Sequence, residues 1–262
     1  MTAKHTFGWL PDLPDARDYI FKTARIVSLP SSVDLRRGCS AIEDQGNLGS
    51  CTSQAVVGAL EFLELKDGVT FFDLSRLFVY YNTRILERTV KYDSGASLRN
   101  TVKAVAKQGV CTEVIYPYIE KKYKLKPGPE CYTDGLKRRV LEYSRLLTLQ
   151  DMKVSLAEGF PFVCGISLYE SFESEKVAET GTVNMPTRRE SMIGGHAIMV
   201  CGYDDKTSRF IVRNSWGTDF GMDGYFTILY KYITTLGDDF WQIKRGSQLS
   251  QVKVSGLAFS SK

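Results

Sequence analysis

Only two histidines occur in the 262 residues, His5 and His196, and one thiol has the surroundings of a reactive group. Cys51 closes the run Gln45-Gly46-Asn47-Leu48-Gly49-Ser50-Cys51, directly before an amphipathic stretch. Far downstream come Gly195-His196-Ala197 and then Asn214-Ser215-Trp216-Gly217. His5 lies in a polar N-terminal tail, so an imidazole base for Cys51 taken from the same chain is His196. A thiol, an imidazole and a side-chain amide in that order are the parts of a cysteine hydrolase. Any fold serving this chain must therefore bring an early helix start against a late strand.

The hydrophobic pattern supplies such a helix and such a strand. From Cys51 to Lys66 the residues Ala55, Val56, Ala59, Leu60, Phe62 and Leu63 recur at helical spacing, and Gly68 follows as a stop. Ser75 to Arg88 reads as a second helix, and Ser97 to Gln108 as a third ended by Gly109. The second half changes character. Pro161 to Leu168, His196 to Tyr203, Arg209 to Arg213 and Tyr225 to Leu229 are short, apolar and β-rich. Helices first and strands later predict an α+β fold of two lobes. The helical lobe is expected over about residues 45–135 and the β-rich lobe over about 136–235, with terminal segments crossing between them. The nucleophile then belongs to one lobe and the base to the other, and a junction of lobes is the usual place for a substrate cleft.

Composition excludes several other classes. Hydrophobic residues make up 43% and charged residues 24%, as in an ordinary globular chain, and no apolar stretch reaches the length of a membrane span. A membrane partner is therefore not expected. Met1 to Asp18 is polar, broken by Pro11 and Pro14, and lacks the apolar core of a signal peptide. The expectation is a cytoplasmic chain, one exported without a classical signal peptide, or one already trimmed. The net charge is only +4, and the basic clusters Lys121 to Lys126 and Lys137 to Arg139 come with no recognition helix or aromatic platform. They are read as solvated faces, and no nucleic-acid partner is expected. Six cysteines in a chain this long do not make a disulfide scaffold, and without a Cys-x-x-Cys no metal site or other cofactor is expected. Cys164 and Cys201 are read as buried small hydrophobes. Cys111 and Cys131 flank one loop, and whether they pair is left open.

The chemistry needs a thiolate, so the site must lower the thiol pKa. A helix start at Cys51 supplies backbone N–H groups and a favourable dipole, and a protonated His196 supplies an ion pair. Asn214 hydrogen-bonds the other ring nitrogen of His196 and holds its orientation without adding charge. Gln45 is placed to offer a side-chain N–H beside the backbone N–H of Cys51, forming an oxyanion hole.

Together these blocks resemble the three signatures of papain-like cysteine proteases, from about Leu29 to the end of the chain. Ser32-Val33-Asp34-Leu35-Arg36 and Gly221 to Tyr225 resemble flanking pieces of that family, and the opening Gly8 to Asp15 resembles its microbial branch. The resemblance implies the papain-like fold: a helical N-terminal lobe and a β-rich C-terminal lobe with the active-site cleft between them. It implies Cys51 as nucleophile, His196 as general acid/base, Asn214 as the orienting residue and Gln45 as the oxyanion donor. It further implies that Trp216 shields the His–Asn hydrogen bond, that the backbone of Gly95 pairs with an extended substrate, and that Ala197 and Gly165 wall the pocket for the second residue before the cut. There are departures. Leu48 stands where many relatives have a disulfide cysteine, Thr52 replaces an aromatic, and Phe220 replaces a tryptophan. Residues 1–28 are much shorter than the family's helical pro-segment and are apolar at intervals (Phe7, Trp9, Leu10, Tyr19, Phe21). They are expected to cross the cleft as an intramolecular inhibitor.

The leading expectation is an endopeptidase acting on peptide or protein substrates through a thioester. Attack of an amine on the same thioester would make a transamidase or peptide ligase, and loss of catalysis would leave a binding module on the same fold. Asp238 and Asp239 are read as a solvated turn after Gly237; the rival reading places them at the bottom of the main pocket, favouring a basic side chain.

Overall fold

The computed structural model describes residues 5–22 and 28–245. The remaining parts of the expected arm, 1–4 and 23–27, and the C-terminal stretch 246–262 lie outside the described residues. Helix α1 (Cys51–Lys66) runs through the middle of the molecule. Helices α2 (Arg76–Glu87), α3 (Leu98–Gln108) and the short α4 (Pro129–Gly135) complete the helical lobe. The three long helices fall where the periodicity places them. Ser75 caps α2, its hydroxyl accepting from the Phe78 N–H at 3.1 Å, and Gly109 closes α3.

The other lobe is one twisted sheet with small helices around it. Its strands are β1 (Ser32–Asp34), β2 (Glu142–Arg145), β3 (Phe162–Tyr169), β4 (Thr182–Val183), β5 (Met192–Asp204), β6 (Arg209–Arg213), β7 (Tyr225–Leu229) and β8 (Gly237–Lys244). They are ordered β2-β8-β3-β5-β6-β7-β4, with β1 on β5. Helices α5 (Leu149–Ala157), α6 (Glu175–Thr180) and α7 (Tyr230–Leu236) also belong here. The periodicity does not reveal them, because pieces this short rest on packing rather than on an apolar stripe. The sheet takes in β1 and β8 from outside residues 136–235: the chain crosses back at each end, and β8 is inserted between β2 and β3.

Helix α1 differs from the amphipathic helix expected. Every residue from Cys51 to Glu64 is buried, polar ones included. The helix is wedged between the helical lobe and the sheet, so no face meets water. One hydrophobic cluster joins α1 to α2, α3, the β5 residues Ala197 and Met199, and Trp241 of β8. A second lies within the sheet lobe around Phe162, Phe210, Phe226 and Trp216. Among the described residues no helix is long and apolar enough to cross a membrane.

Burial of α1 on all sides places the Glu61 carboxylate where only the protein can serve it. The Glu61 carboxylate accepts from Arg76 Nη2 at 2.7 Å, from the Leu74 N–H at 3.0 Å and from Ser40 Oγ at 2.6 Å. Both charged side chains are almost fully buried. A buried pair is costly to break because one charge is then stranded. Arg76→Ala is expected to lower unfolding stability by about 3–5 kcal/mol in denaturant titration, and the joint change Arg76→Met with Glu61→Gln to recover part of that loss.

Candidate active site

The turn before α1 carries Gln45, and the helix start carries Cys51. Gly46 turns the chain with φ 57°, a conformation that suits a glycine. Gln45 is fully buried. Its Oε1 accepts from Ser215 Oγ at 2.7 Å, and its Nε2 donates to the Leu48 carbonyl at 2.9 Å. The residue after Asn214 therefore orients the side chain expected to bind an oxyanion. Ser50 stands at the N-cap of α1 but makes no side-chain cap bond, leaving the first N–H groups of the helix free of that partner.

His196 comes from β5, opposite Ile166 of β3. Its Nε2 lies 2.8 Å from Asn214 Oδ1. An amide oxygen accepts only, so Nε2 carries the proton, and Nδ1 of the neutral ring is an unprotonated acceptor. Nδ1 is buried with no hydrogen-bond partner. The N–H of Ala197, the next residue, donates to Cys51 Sγ at 3.4 Å, which brings the strand carrying His196 onto the sulfur. Trp216 lies against the imidazole, ring centroids 4.8 Å apart, and is itself enclosed by Phe172 and Phe220. Cys51, His196, Asn214, Gln45, Ala197 and Trp216 are thus brought together from both lobes.

The N-terminal segment lies across this site. His5 stacks on Trp216 at 4.0 Å and is paired with Glu173 at 3.1 Å. The Thr6 carbonyl accepts from Gln45 Nε2 at 3.0 Å. The Gly8 carbonyl accepts from the Ala96 N–H at 2.7 Å. The Trp9 N–H donates to the Gly195 carbonyl, and the Leu10 N–H to the Ala96 carbonyl, each at 3.0 Å. The pairing expected of Gly95 is made by Ala96, one residue on, because the Gly95 N–H is taken by the Tyr80 hydroxyl at 3.2 Å. Gly95 contributes closeness instead: a Cβ there would overlap the Gly8 carbonyl. Gly165 does the same for the Trp9 ring, which a side chain at that position would displace.

Charge fixes the far end of the segment. Trp9 Nε1–H donates to Asp239 Oδ2 at 3.1 Å, and the Asp12 N–H to the same oxygen at 2.8 Å. Asp12 accepts from the Arg99 N–H at 3.1 Å and from Trp241 Nε1 at 3.1 Å. Asp18 pairs with Arg99 at 2.7 Å and with Arg145 at 3.3 Å. Arg145 also holds Asp239 at 2.8 Å. The solvated turn read for both aspartates is strand β8 instead: Asp238 is exposed on it, its side chain 61% accessible and paired with Arg145 at 3.2 Å, and Asp239 is wholly buried. Burial, with Asp12 and Asp238 nearby, raises the Asp239 pKa to about 6. Pattern reading also passes over Arg99 and Arg145, since one charged residue on a helix or strand looks like any solvated position. The matching acids Asp12 and Asp18 were the available signal.

Covering the site changes its electrostatics. Cys51 and His196 are both fully buried. Burial pushes the Cys51 thiol up to about 11, against the opposing N–H groups of Ala197, Gly8 and Thr52. Burial likewise lowers His196 to about 4, against the raising effect of the Asn214 bond. Burial beneath this cover thus opposes charge on both groups, working against the thiolate and against the imidazolium. Cys111 and Cys131 are buried free thiols.

The likeness to known proteins agrees with this geometry. Residues 29–237 match the family described as papain family cysteine protease. Xylellain, a cysteine protease from Xylella fastidiosa, superposes with a TM-score of 0.88 at 38% identity, covering 93% of this chain and 97% of that one. An uncharacterized peptidase C1-like protein of Acanthamoeba polyphaga mimivirus is 37% identical over 273 residues, 93% of this chain and 88% of its own length. Cathepsin S of Rattus norvegicus is 28% identical over 243 residues, 86% of this chain and 69% of its own length. By the match over 29–237 and these relatives, on a papain-like α+β fold, the chain belongs to the papain family of cysteine proteases.

Proposed function

We propose that this peptidase is an endopeptidase that works through a thioester on Cys51 and is restrained by its own N-terminal arm. The observation that carries the reading is the seating of an extended peptide across Cys51 with a carbonyl, that of Thr6, on Gln45 Nε2. The arm enters beside Trp216 and leaves past Arg99 and Arg145, so the cleft accepts chain on both sides of the sulfur. A cleft open at both ends suits cleavage within a chain. The assembled thiol, imidazole and amide speak against a module that has lost catalysis.

In the reaction His196 Nδ1 takes the thiol proton as Sγ attacks the substrate carbonyl carbon. The carbonyl electrons move to oxygen, where Gln45 Nε2 and the Cys51 N–H hold the developing charge. Asn214 keeps the imidazole turned while it is cationic. Collapse expels the amine, which takes the proton from His196, and water activated by the same ring hydrolyses the thioester. In this reading Trp9 fills a substrate side-chain pocket bounded by Gly165, Ala197 and Asp239, while Gly95 and Trp216 line the substrate path.

Cys51→Ala is expected to abolish peptide hydrolysis and to remove the single adduct that a thiol-directed epoxide adds to the intact mass. Gln45→Ala is expected to lower kcat by about 10²–10³-fold in steady-state kinetics. In the full-length chain Trp9→Ala removes a buried indole from the docked arm, a loss of about 3–5 kcal/mol. It is expected to raise turnover by at least about tenfold; unchanged turnover would leave the arm without an inhibitory role.

Alkylation of Cys51 reports the same release. With the arm docked, the thiolate fraction and the alkylation rate should climb with pH toward about 11. In Trp9→Ala the rise should shift to lower pH, because water and imidazolium then stabilise the thiolate. Peptides bearing Arg or Trp at the second position before the cut should be preferred to Leu peptides, with Asp239→Asn narrowing the difference.

A further inference from the structure

The turn from Asp44 to Ser50 sets the distance between Gln45 and the start of α1, and nothing covalent holds it. Leu48, the residue standing at the position of a family disulfide cysteine, is buried as a plain hydrophobe. The turn is instead held by side chains from outside it. The Tyr118 hydroxyl donates to the Gln45 carbonyl at 2.8 Å and lies 2.6 Å from Ser50 Oγ. Since Tyr118 gives its proton to the carbonyl, Ser50 donates to Tyr118. One hydroxyl therefore ties the two ends of the turn together. Glu120 Oε1 accepts from the Asn47 N–H at 3.1 Å, and Asp93 accepts from the Gly49 N–H at 3.1 Å while the Tyr80 hydroxyl donates to it.

The tie has a second effect. Ser50 Oγ, turned toward Tyr118, accepts from no N–H of α1. The first N–H groups of the helix are thus left without a side-chain cap. Burial holds the Tyr118 phenol well above its ordinary pKa, so it stays protonated and able to donate throughout the working range.

We propose that Tyr118 is the positioning residue of the oxyanion hole, spanning Gln45 and Ser50 with one hydroxyl in place of a covalent staple. The inference rests on the reading of Gln45 as oxyanion donor given above. Tyr118 touches neither substrate nor the reacting atoms, so its effect passes through the two donors it spaces.

The test is Tyr118→Phe in the full-length chain, with and without Trp9→Ala, beside Gln45→Ala. Turnover of a peptide substrate and alkylation of Cys51 by iodoacetamide are both measured. Displacement at the iodoacetamide carbon builds no oxyanion, so alkylation reads the thiol and His196 alone. Tyr118→Phe is expected to lower kcat by about tenfold or more, since loss of one oxyanion donor outright costs about 10²–10³-fold. KM and the alkylation rate should stay within about twofold, the ring and its packing being retained. Unchanged kcat in Tyr118→Phe with a large loss in Gln45→Ala would overturn the proposal and leave the oxyanion reading standing. Alkylation slowed as much as turnover would overturn it as well, showing a site disturbed as a whole. Unchanged kcat in Gln45→Ala would remove the oxyanion reading itself, and this inference with it.

Discussion

Everything at this site depends on one helix being buried on all sides. Helix α1 lies between the helical lobe and the sheet, and its N-terminus ends against β5. That single placement brings Cys51 to the strand bearing His196 and sets the turn holding Gln45 against Ser215. It also sets the Glu61 carboxylate in the interior, where Arg76 pairs with it at 2.7 Å and offsets the cost of burying its charge. Stability and the proposed chemistry therefore share a cause: the helix that seals the lobe junction is the helix that presents Cys51.

In the reading proposed above, the arm restrains this arrangement through desolvation as much as through obstruction. An exposed thiol–imidazole pair gains from separating charge, since water and the helix start both favour a thiolate. Under Gly8, Trp9 and His5 the same two groups are driven toward their neutral forms. The cover is held by backbone pairing to Ala96 and Gly195, by the indole in its pocket, and by the Asp12 and Asp18 carboxylates on Arg99 and Arg145. These contacts extend over most of the described arm, so no single bond carries it.

Much of the fold was legible in the chain because its long elements carry strong periodic signals. Helices α1, α2 and α3 and strands β3, β6 and β7 stand where the apolar spacing put them to within a residue at either end, and β5 begins at Met192, four residues before the expected start at His196. Helices α5 to α7 escaped because they are short and depend on the sheet beneath them. The insertion of β8 between β2 and β3 is a long-range pairing with no local mark. The burial of Asp239 escaped for the same reason: two adjacent aspartates after a glycine look like a turn, and only β8 turning Asp239 under Trp9 separates them.

The sequence by itself determined which groups could do chemistry. Two histidines, one thiol ahead of a helical run and the order of Cys51, His196 and Asn214 pointed to a thiol, a base and a neutral orienter, and the resemblance to a known family implied the same three residues. Only the tertiary structure decided how those groups stand at rest. Whether a thiol near an imidazole is charged depends on how much water reaches it, and that depends on an arm distant in sequence. Which backbone pairs with that arm, which aspartate lies beneath its indole, and which tyrosine spans the oxyanion turn are likewise set by packing between segments far apart in the chain, where local patterning has no reach.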